Sequence, residues 1–407
     1  MRPLKIIVSF SFMQSNHHSR SDQGMTYALG LQRLGHEVYL IDDVERHLCT
    51  DAHGNPVRFE EWEGRRRFKC LTKSYGIWER SCLIYDHGAA AHGMPLQDTV
   101  NIARTSDLLL LVGNRVKVAE ILEGARCKAY VDLNPAKTQV YHDEYGVDYG
   151  FKHYDYFFTT GLSIGTPECP IPTCGVTWHG LVPPVDLPAW TPAIDGRCKR
   201  FTTVSTWRGR RSFNLQGRWS GDKAENWLRF AQLPRKTSQE LEIALKMSKG
   251  SAEDRLLLEE NGWILSDPER FQSVQDYRAF IANSRAEFSA ANDRVVQFDT
   301  GWLSDRTMRY LASGKPALVQ STGIERHLPT GKGLLTFRTM EEAIAGIDAI
   351  NRDYQDHCLA ARQIAEEYCD SEKVLTKMLR QMGFKDRVAT PGHGPEGHDR
   401  QIRLGRG

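Results

Sequence analysis

The sequence has no apolar run approaching the roughly eighteen residues of a membrane-spanning helix, so no span is expected. It has almost no charge imbalance. Its 53 Lys and Arg face 51 Asp and Glu, a net +2, so bulk electrostatics points to no polyanionic partner. The start, MRPLKIIVSFSF, is followed by polar QSNHHSRSDQ without a small-residue cleavage site, so it reads as a strand and not as a secretion signal. Nine cysteines, an odd and scattered set, exclude a regular disulfide framework and fit free thiols in the reducing cytoplasm. Cys169 and Cys174 followed by His179 lack the knuckle spacing and the fourth ligand of a zinc site, so no metal is expected. The loop after the first strand has no G-x-G-x-x-G, which removes the dinucleotide fingerprint, and there are no internal repeats.

What is present is an alternation of short apolar runs with helical spacings. The 407 residues are too many for one ordinary core and suit two α/β domains. Strands are expected at Lys5–Phe10, Glu37–Ile41, Cys82–Tyr85, Leu108–Val112, Ala129–Val131, Tyr156–Thr159 and Gly175–Trp178. A helix over Gly24–Leu34 closes the first β-α-β unit. Four prolines within Leu181–Pro192 interrupt the pattern as a linker. Beyond it, strands are expected at Phe201–Val204, Trp263–Leu265, Ala286–Ser289, Ala317–Val319 and Leu334–Phe337. Helices are expected over Ala224–Phe230, Gln239–Leu245, Gln275–Asn283, Arg306–Ser313, Met340–Arg352 and Leu359–Met382. The predicted division is a first domain over 1–182, a linker over 183–195, a second domain over 196–385 and a disordered tail over 386–407. Two doubly wound domains place their ligand crevices at the carboxyl ends of their strands, facing each other.

The most informative stretch runs from Asp299 to Pro316. Thr300, Gly301 and Trp302 lead into a helix capped by Ser304, whose N-terminal N–H groups favour an anion. Arg306 is a multi-donor cation for a diphosphate, and Asp305 can accept from ribose or sugar hydroxyls. Thr322 and Gly323 form a second polar turn after the next strand, while Thr203 and Ser205 end the first strand of the second half. The alternative is an ordinary capped helix.

The stretch from Ala286 to Tyr368 resembles bacterial glycosyltransferases of the glycosyltransferase-B superfamily, in particular the "glycosyl transferases group 1" type. The resemblance rests on EFSAANDRV, TGWLSDRTMRYLASGKPALVQSTG, HLPTGKGLLTF, TMEEAIAGIDAINRDY and AARQIAEEY. It extends more weakly to FTTVSTW and YVDLNPAKTQVYHDEYG. It implies two Rossmann-like domains facing across a cleft, with a nucleoside diphosphate-sugar, UDP-linked, held by the C-terminal half. It further implies transfer of a hexose to an acceptor on the N-terminal domain, with no cofactor beyond that co-substrate. Many retaining members carry glutamates at the positions that Gly301 and Arg309 occupy. The ribose-binding carboxylate is then missing, and Glu287 or Asp305 substitutes for it.

Sugar transfer with inversion needs a base. The loop after the first strand offers His17 or His18, with Asp22 as base, orienter or helix cap. Asp132, at the end of another strand, either binds acceptor, acts as base or closes an Asx turn before Pro135. The mixed segment Trp207–Trp219 is a sugar-stacking or nucleic-acid surface, or a loop over the cleft. The competing expectations are a nucleobase-directed glycosyltransferase, a nucleotide-sugar epimerase or hydrolase, and a non-catalytic sugar-nucleotide binder.

Overall fold

A computed structural model describes residues 2–13, 18–51, 53–113, 116–208, 212–247, 250–271 and 273–384; the side chains of 18–20 fall outside this set. His17 and the expected tail over 386–407 lie outside the described residues.

The first sheet holds β1 (Lys5–Phe10), β2 (Glu37–Val44), β3 (Ser81–Tyr85), β4 (Ala90–Gly93), β5 (Leu108–Val112), β6 (Lys128–Asp132), β7 (Tyr156–Thr159) and β8 (Trp178–Gly180). Their order is β4-β3-β2-β1-β5-β6-β7-β8, with only β4 antiparallel. Its helices are α1 (His18–Arg33), α2 (Glu63–Ser74), α3 (Leu96–Thr105), α4 (Ala119–Gly124) and α5 (Lys137–Asp143). The run Leu108–Val112 is buried at every residue because β5 sits between β1 and β6 with both faces covered.

The second sheet combines β9 (Phe201–Thr206), β12 (Leu241–Lys246), β13 (Ile264–Ser266), β14 (Ala286–Ser289), β15 (Ala317–Gln320) and β16 (Leu334–Phe337). All are parallel, in the order β13-β12-β9-β14-β15-β16. Between β9 and β12 the chain makes a small hairpin of β10 (Phe213–Leu215) and β11 (Arg218–Ser220). The helices here are α6 (Lys223–Arg229), α7 (Ala252–Glu260), α8 (Val274–Ala282), α9 (Asp293–Gln297), α10 (Asp305–Ala312), α11 (Met340–Arg352), α12 (Tyr354–Ile364) and α13 (Ser371–Gln381). In each sheet the strand order reverses beside the first strand, at β1/β5 and at β9/β14, and those switch points are where open α/β sheets hold ligands.

Three expectations change. Gln239–Leu245 is not a helix: Leu241–Lys246 is a strand, buried between β9 and β13. Leu, Glu, Ala and Lys favour helices, but burial on both sheet faces overrides that weak preference. The last strand of the first sheet is Trp178–Gly180, beyond the expected Gly175–Trp178. The long terminal helix is broken into α12, a π turn over Ala365–Cys369, and α13.

That break returns the chain to the first sheet. Val374, Leu375 and Met378 of α13 join the core beneath β1, and Arg33 of α1 bonds Ser371 and Glu372. Residues 371–381 therefore pack on the unit that begins the chain, although they lie within the 196–385 stretch expected to form the second. The proline stretch is the outward crossing. Val185 and Asp370 pair at a bridge, so the two crossings run side by side. Trp190 is buried against the second sheet. No helix of the described residues is long and apolar enough to cross a membrane.

Candidate active site

The turn before α10 lies at the junction of the two lobes. Gly301 N–H donates to Thr322 O at 2.7 Å, and the Thr322 hydroxyl donates to Trp302 O, so the two expected polar turns are joined directly. The first lobe meets the same turn: Trp302 bridges Gly161, and Ser163 N–H donates to Thr300 O at 2.9 Å. A hydrogen bond of 2.8 Å joins Ser163 Oγ to His327 Nε2. Burial holds the His327 imidazole below its ordinary pKa, which keeps it neutral in this contact. Ser304 caps α10, its hydroxyl accepting from Arg306 N–H.

Gly301 has φ +69°, and a Cβ there would fall 2.8 Å from Ser163 Oγ and 2.9 Å from His327 Cδ2. Gly301→Ala is expected to destabilise the protein by about 2 kcal/mol, from left-handed backbone strain together with displacement of the Ser163–His327 contact. Denaturation midpoints check it, and Ser163→Ala should cost no more than about 1 kcal/mol.

Trp302, Leu303 and Asp305 line a 120 Å³ cleft cavity, facing Gly113, Asn134 and Thr160 at the carboxyl ends of β5, β6 and β7. A larger cavity of 940 Å³ lies at the opposite edge of the second sheet, but its Glu242 carboxylate is already paired with Arg200 and Arg270. The small cleft cavity is thus where the strand ends of one lobe and the α10 turn of the other converge.

The expected site residues divide sharply. Arg306 donates to Glu287 Oε1, Val204 O and Ser289 Oγ, each at 2.7 Å, so most of its guanidinium is held within the second lobe. Glu287 is fully buried in β14 beneath it, with Oε1 held by Arg306 and Oε2 without a partner among the described residues. Asp305 keeps 30% side-chain exposure toward the cleft and is held by Arg309 at 2.5 Å. Thr203 and Thr300 are buried with hydroxyls that have no partner among the described residues, and the Ser205 hydroxyl donates to Thr206 O. Gly323 begins the turn after β15 with φ +81°.

On the first lobe, Asp132 is fully buried and saturated. It accepts from Asn134 N–H, Thr138 Oγ1, Gln139 Nε2 and Thr159 Oγ1 within 3.0 Å, the Asx-turn arrangement that leaves no lone pair for a substrate proton. Asp22 does not cap α1, which already begins at His18. Its carboxylate crosses to the second lobe, accepting from Arg309 Nε at 2.9 Å and Arg278 Nη2 at 3.0 Å. Both of its oxygens are thus engaged across the lobe junction. Burial opposes the Arg309 charge, yet Asp305 and Asp22 beside it raise its pKa above the ordinary arginine value.

Two cations escaped the sequence reading. Lys223, first residue of α6, has neither a hydrogen bond nor an ion pair among the described residues. Burial, then Arg306 and Arg294, push its pKa from 10.5 down to about 7. Arg294 of α9 likewise has no such partner, and its Nε is buried and unbonded. Burial lowers its pKa, while Asp132 and Tyr141 across the cleft act on it, Asp132 to restore the charge. Lys223, Arg294 and Arg306 thus form a positive cluster, of which Arg294 lies within electrostatic reach of the first lobe, with Glu287 and Asp305 as the carboxylates that act on Lys223. The signals were present but slight: Asp222 and Glu225 form a capping box around Lys223, and Arg294 follows the end of β14.

The β10–β11 hairpin packs against the first lobe. Phe213 and Leu215 pack into the first lobe's core, Tyr141 donates to Ser212 O, and Asn214 N–H reaches Tyr145 Oη. Among the described residues no group of three His, Cys, Asp or Glu side chains is placed to hold a metal ion.

No protein-family description matches the chain, and no curated protein matches it in sequence. Solved structures do. An alpha-glucosyltransferase in complex with UDP and a 13-mer DNA aligns with TM-score 0.59 and 11% identity over 94% of this chain and 100% of its own. Anabaena Alr3699/HepE in complex with UDP and glucose aligns with TM-score 0.57 and 11% identity over 93% and 99%. A putative UDP-N-acetylglucosamine 2-epimerase from Listeria monocytogenes aligns with TM-score 0.51 and 12% identity over 95% and 98%. At such identities the likeness establishes the fold, which is the α/β arrangement of two Rossmann-like sheets found in glycosyltransferases of the glycosyltransferase-B kind.

Proposed function

We propose that the protein transfers a sugar, a hexose, from a UDP-sugar held by the second lobe to an acceptor held by the first. The observation that carries this reading is the grouping of Lys223, Arg294 and Arg306, two of them without a hydrogen-bond or ion-pair partner among the described residues, in the lobe whose sheet has its switch point at β9/β14. Poorly hydrated cations without counter-ions gain most from a bound dianion, and a diphosphate supplies the charge. In the transfer, the bond between the sugar's anomeric carbon and the diphosphate breaks, and negative charge grows on the leaving oxygen beside these cations. Asp305 and the Thr322–Trp302 turn are placed to contact ribose or sugar hydroxyls. With Asp22 and Asp132 fully engaged, the acceptor's proton is assigned to His17 or His18, which follow β1 in sequence.

A thermal-shift series of nucleoside diphosphates and their sugars tests the reading. Ligand at a hundred times its dissociation constant adds about 2.7 kcal/mol to stability, and UDP-sugars should give such a shift. No shift with any member of the series would remove the donor assignment. The neighbouring epimerase marks the rival chemistry, and turnover of the UDP-sugar without any added acceptor would favour that rival over transfer.

A further inference from the structure

A pocket of 450 Å³ opens between the lobes, apart from the cation cluster and the Trp302 turn. Its first wall is one face of α2: Arg66, Arg67, Cys70 and Ser74 recur at helical spacing. Its second wall is the start of α8, Ser273 to Gln275, with Arg278 one turn on. Met13 and Ser21 also line it, one on each side of the loop that follows β1, so it opens at the carboxyl edge of the first sheet.

Three arginines and no carboxylate line this pocket among the described residues. Arg66 is ion-paired with Glu63 on the outer side of the helix. Arg278 donates through Nη2 to Asp22, while its Nε is buried without a partner among the described residues. Burial pulls the Arg67 pKa down, so its charge sits in a poorly hydrated wall that favours an arriving anion. The α8 helix adds its positive end. Ser273 Oγ accepts from Asp276 N–H, but the helix itself offers no acceptor for the N–H groups of Val274 and Gln275. A volume of this size suits a small molecule.

We propose that this pocket binds the phosphate monoester of a small phosphorylated acceptor, held by Arg67, Arg278 and the N-terminal turn of α8. The word acceptor rests on the transferase reading above; the phosphate site does not. The acceptor hydroxyl then points toward the cleft from the first-lobe side, and the donor's diphosphate occupies the separate cluster at Lys223.

Calorimetric titration of glycerol 3-phosphate into protein saturated with UDP tests the proposal, with glycerol as the neutral control. Saturable binding of the phosphate ester and none of glycerol are expected. Arg67→Gln should weaken that binding by about tenfold, the effect of one charge-assisted hydrogen bond. Cys70→Glu, which sets a carboxylate into the pocket from an exposed helix position without touching the core, should weaken it at least as much. UDP affinity should stay within about twofold in both variants, as separate sites are independent. The proposal fails if glycerol 3-phosphate does not bind the UDP-loaded protein, or binds both variants as well as the parent. A single-stranded oligonucleotide that binds with steep salt dependence while glycerol 3-phosphate does not would replace the monoester with a nucleic-acid track. Loss of UDP binding with glycerol 3-phosphate binding intact would remove the transferase reading and leave the phosphate pocket supported.

Discussion

Asp22→Ala should cost about 3–5 kcal/mol of stability, the range for removing one partner of a buried ion pair. Asp22 and Arg309 are each 4% exposed in their side chains, and the pair joins α1 of the first lobe to α10 of the second. Removing the carboxylate takes away one partner of Arg309, which keeps Asp305 on its own helix and packs its guanidinium over Trp190. Arg278, 26% exposed, can turn toward water and loses less. The double variant Asp22→Ala/Arg309→Leu should recover part of the loss, because an apolar replacement of the pair removes the buried charge together with its partner. Added salt should leave the Asp22→Ala deficit nearly unchanged, since the pair is shielded from solvent ions. Chemical denaturation followed by tryptophan fluorescence measures all three, and a deficit under about 1 kcal/mol would place the pair among ordinary surface contacts.

Arg309 is used between the lobes, and Asp305, one turn earlier on α10, is the carboxylate that lines the cleft cavity. Sequence reasoning recognised the turn and the helix because their signals are local: Gly301, the Ser304 cap, and Gly314 at the end. Leu108–Val112 was legible for the same reason, as a short apolar run buried on both faces. Met340–Arg352 was announced by the Thr339–Glu342 capping box. The β10–β11 hairpin was not legible. Its two-residue turn needs positive φ at both centres, and Gln216 adopts +53° where Asn or Gly is the usual signal. Nor could Asp22 be matched with Arg309, because that encounter depends on how two sheets face each other and leaves no periodic trace.

Lys223 should make donor binding depend on pH in a direction opposite to that of a carboxylate site. Its pKa in the free protein, about 7, lies below the 10.5 of an unburied lysine, because burial and two neighbouring arginines disfavour its charge. In the unfolded chain it holds its proton to the higher value, so this group opposes folding below about pH 7, and stability gained from its deprotonation accrues between about 7 and 10.5. A diphosphate reverses the local field and raises the pKa again, so binding above neutrality must take up a proton. UDP-glucose is the suitable ligand, since its diphosphate diester has no group titrating near pH 7. Its affinity should be flat below about pH 7 and fall above it, by up to about tenfold per unit while the bound lysine stays protonated. Calorimetry in buffers of different ionisation enthalpy should show uptake approaching one proton near pH 8. Lys223→Met should weaken UDP-glucose by on the order of 10- to 100-fold, the loss of about 1.5–3 kcal/mol for a charged hydrogen bond, and abolish the slope. Lys223→Arg should keep the affinity and lose the slope, because a guanidinium does not titrate in this range. A parent protein whose affinity does not change between pH 7 and 9 would show that no cation of depressed pKa meets the diphosphate, and Lys223 would then belong to the wall of the lobe and not to the donor site.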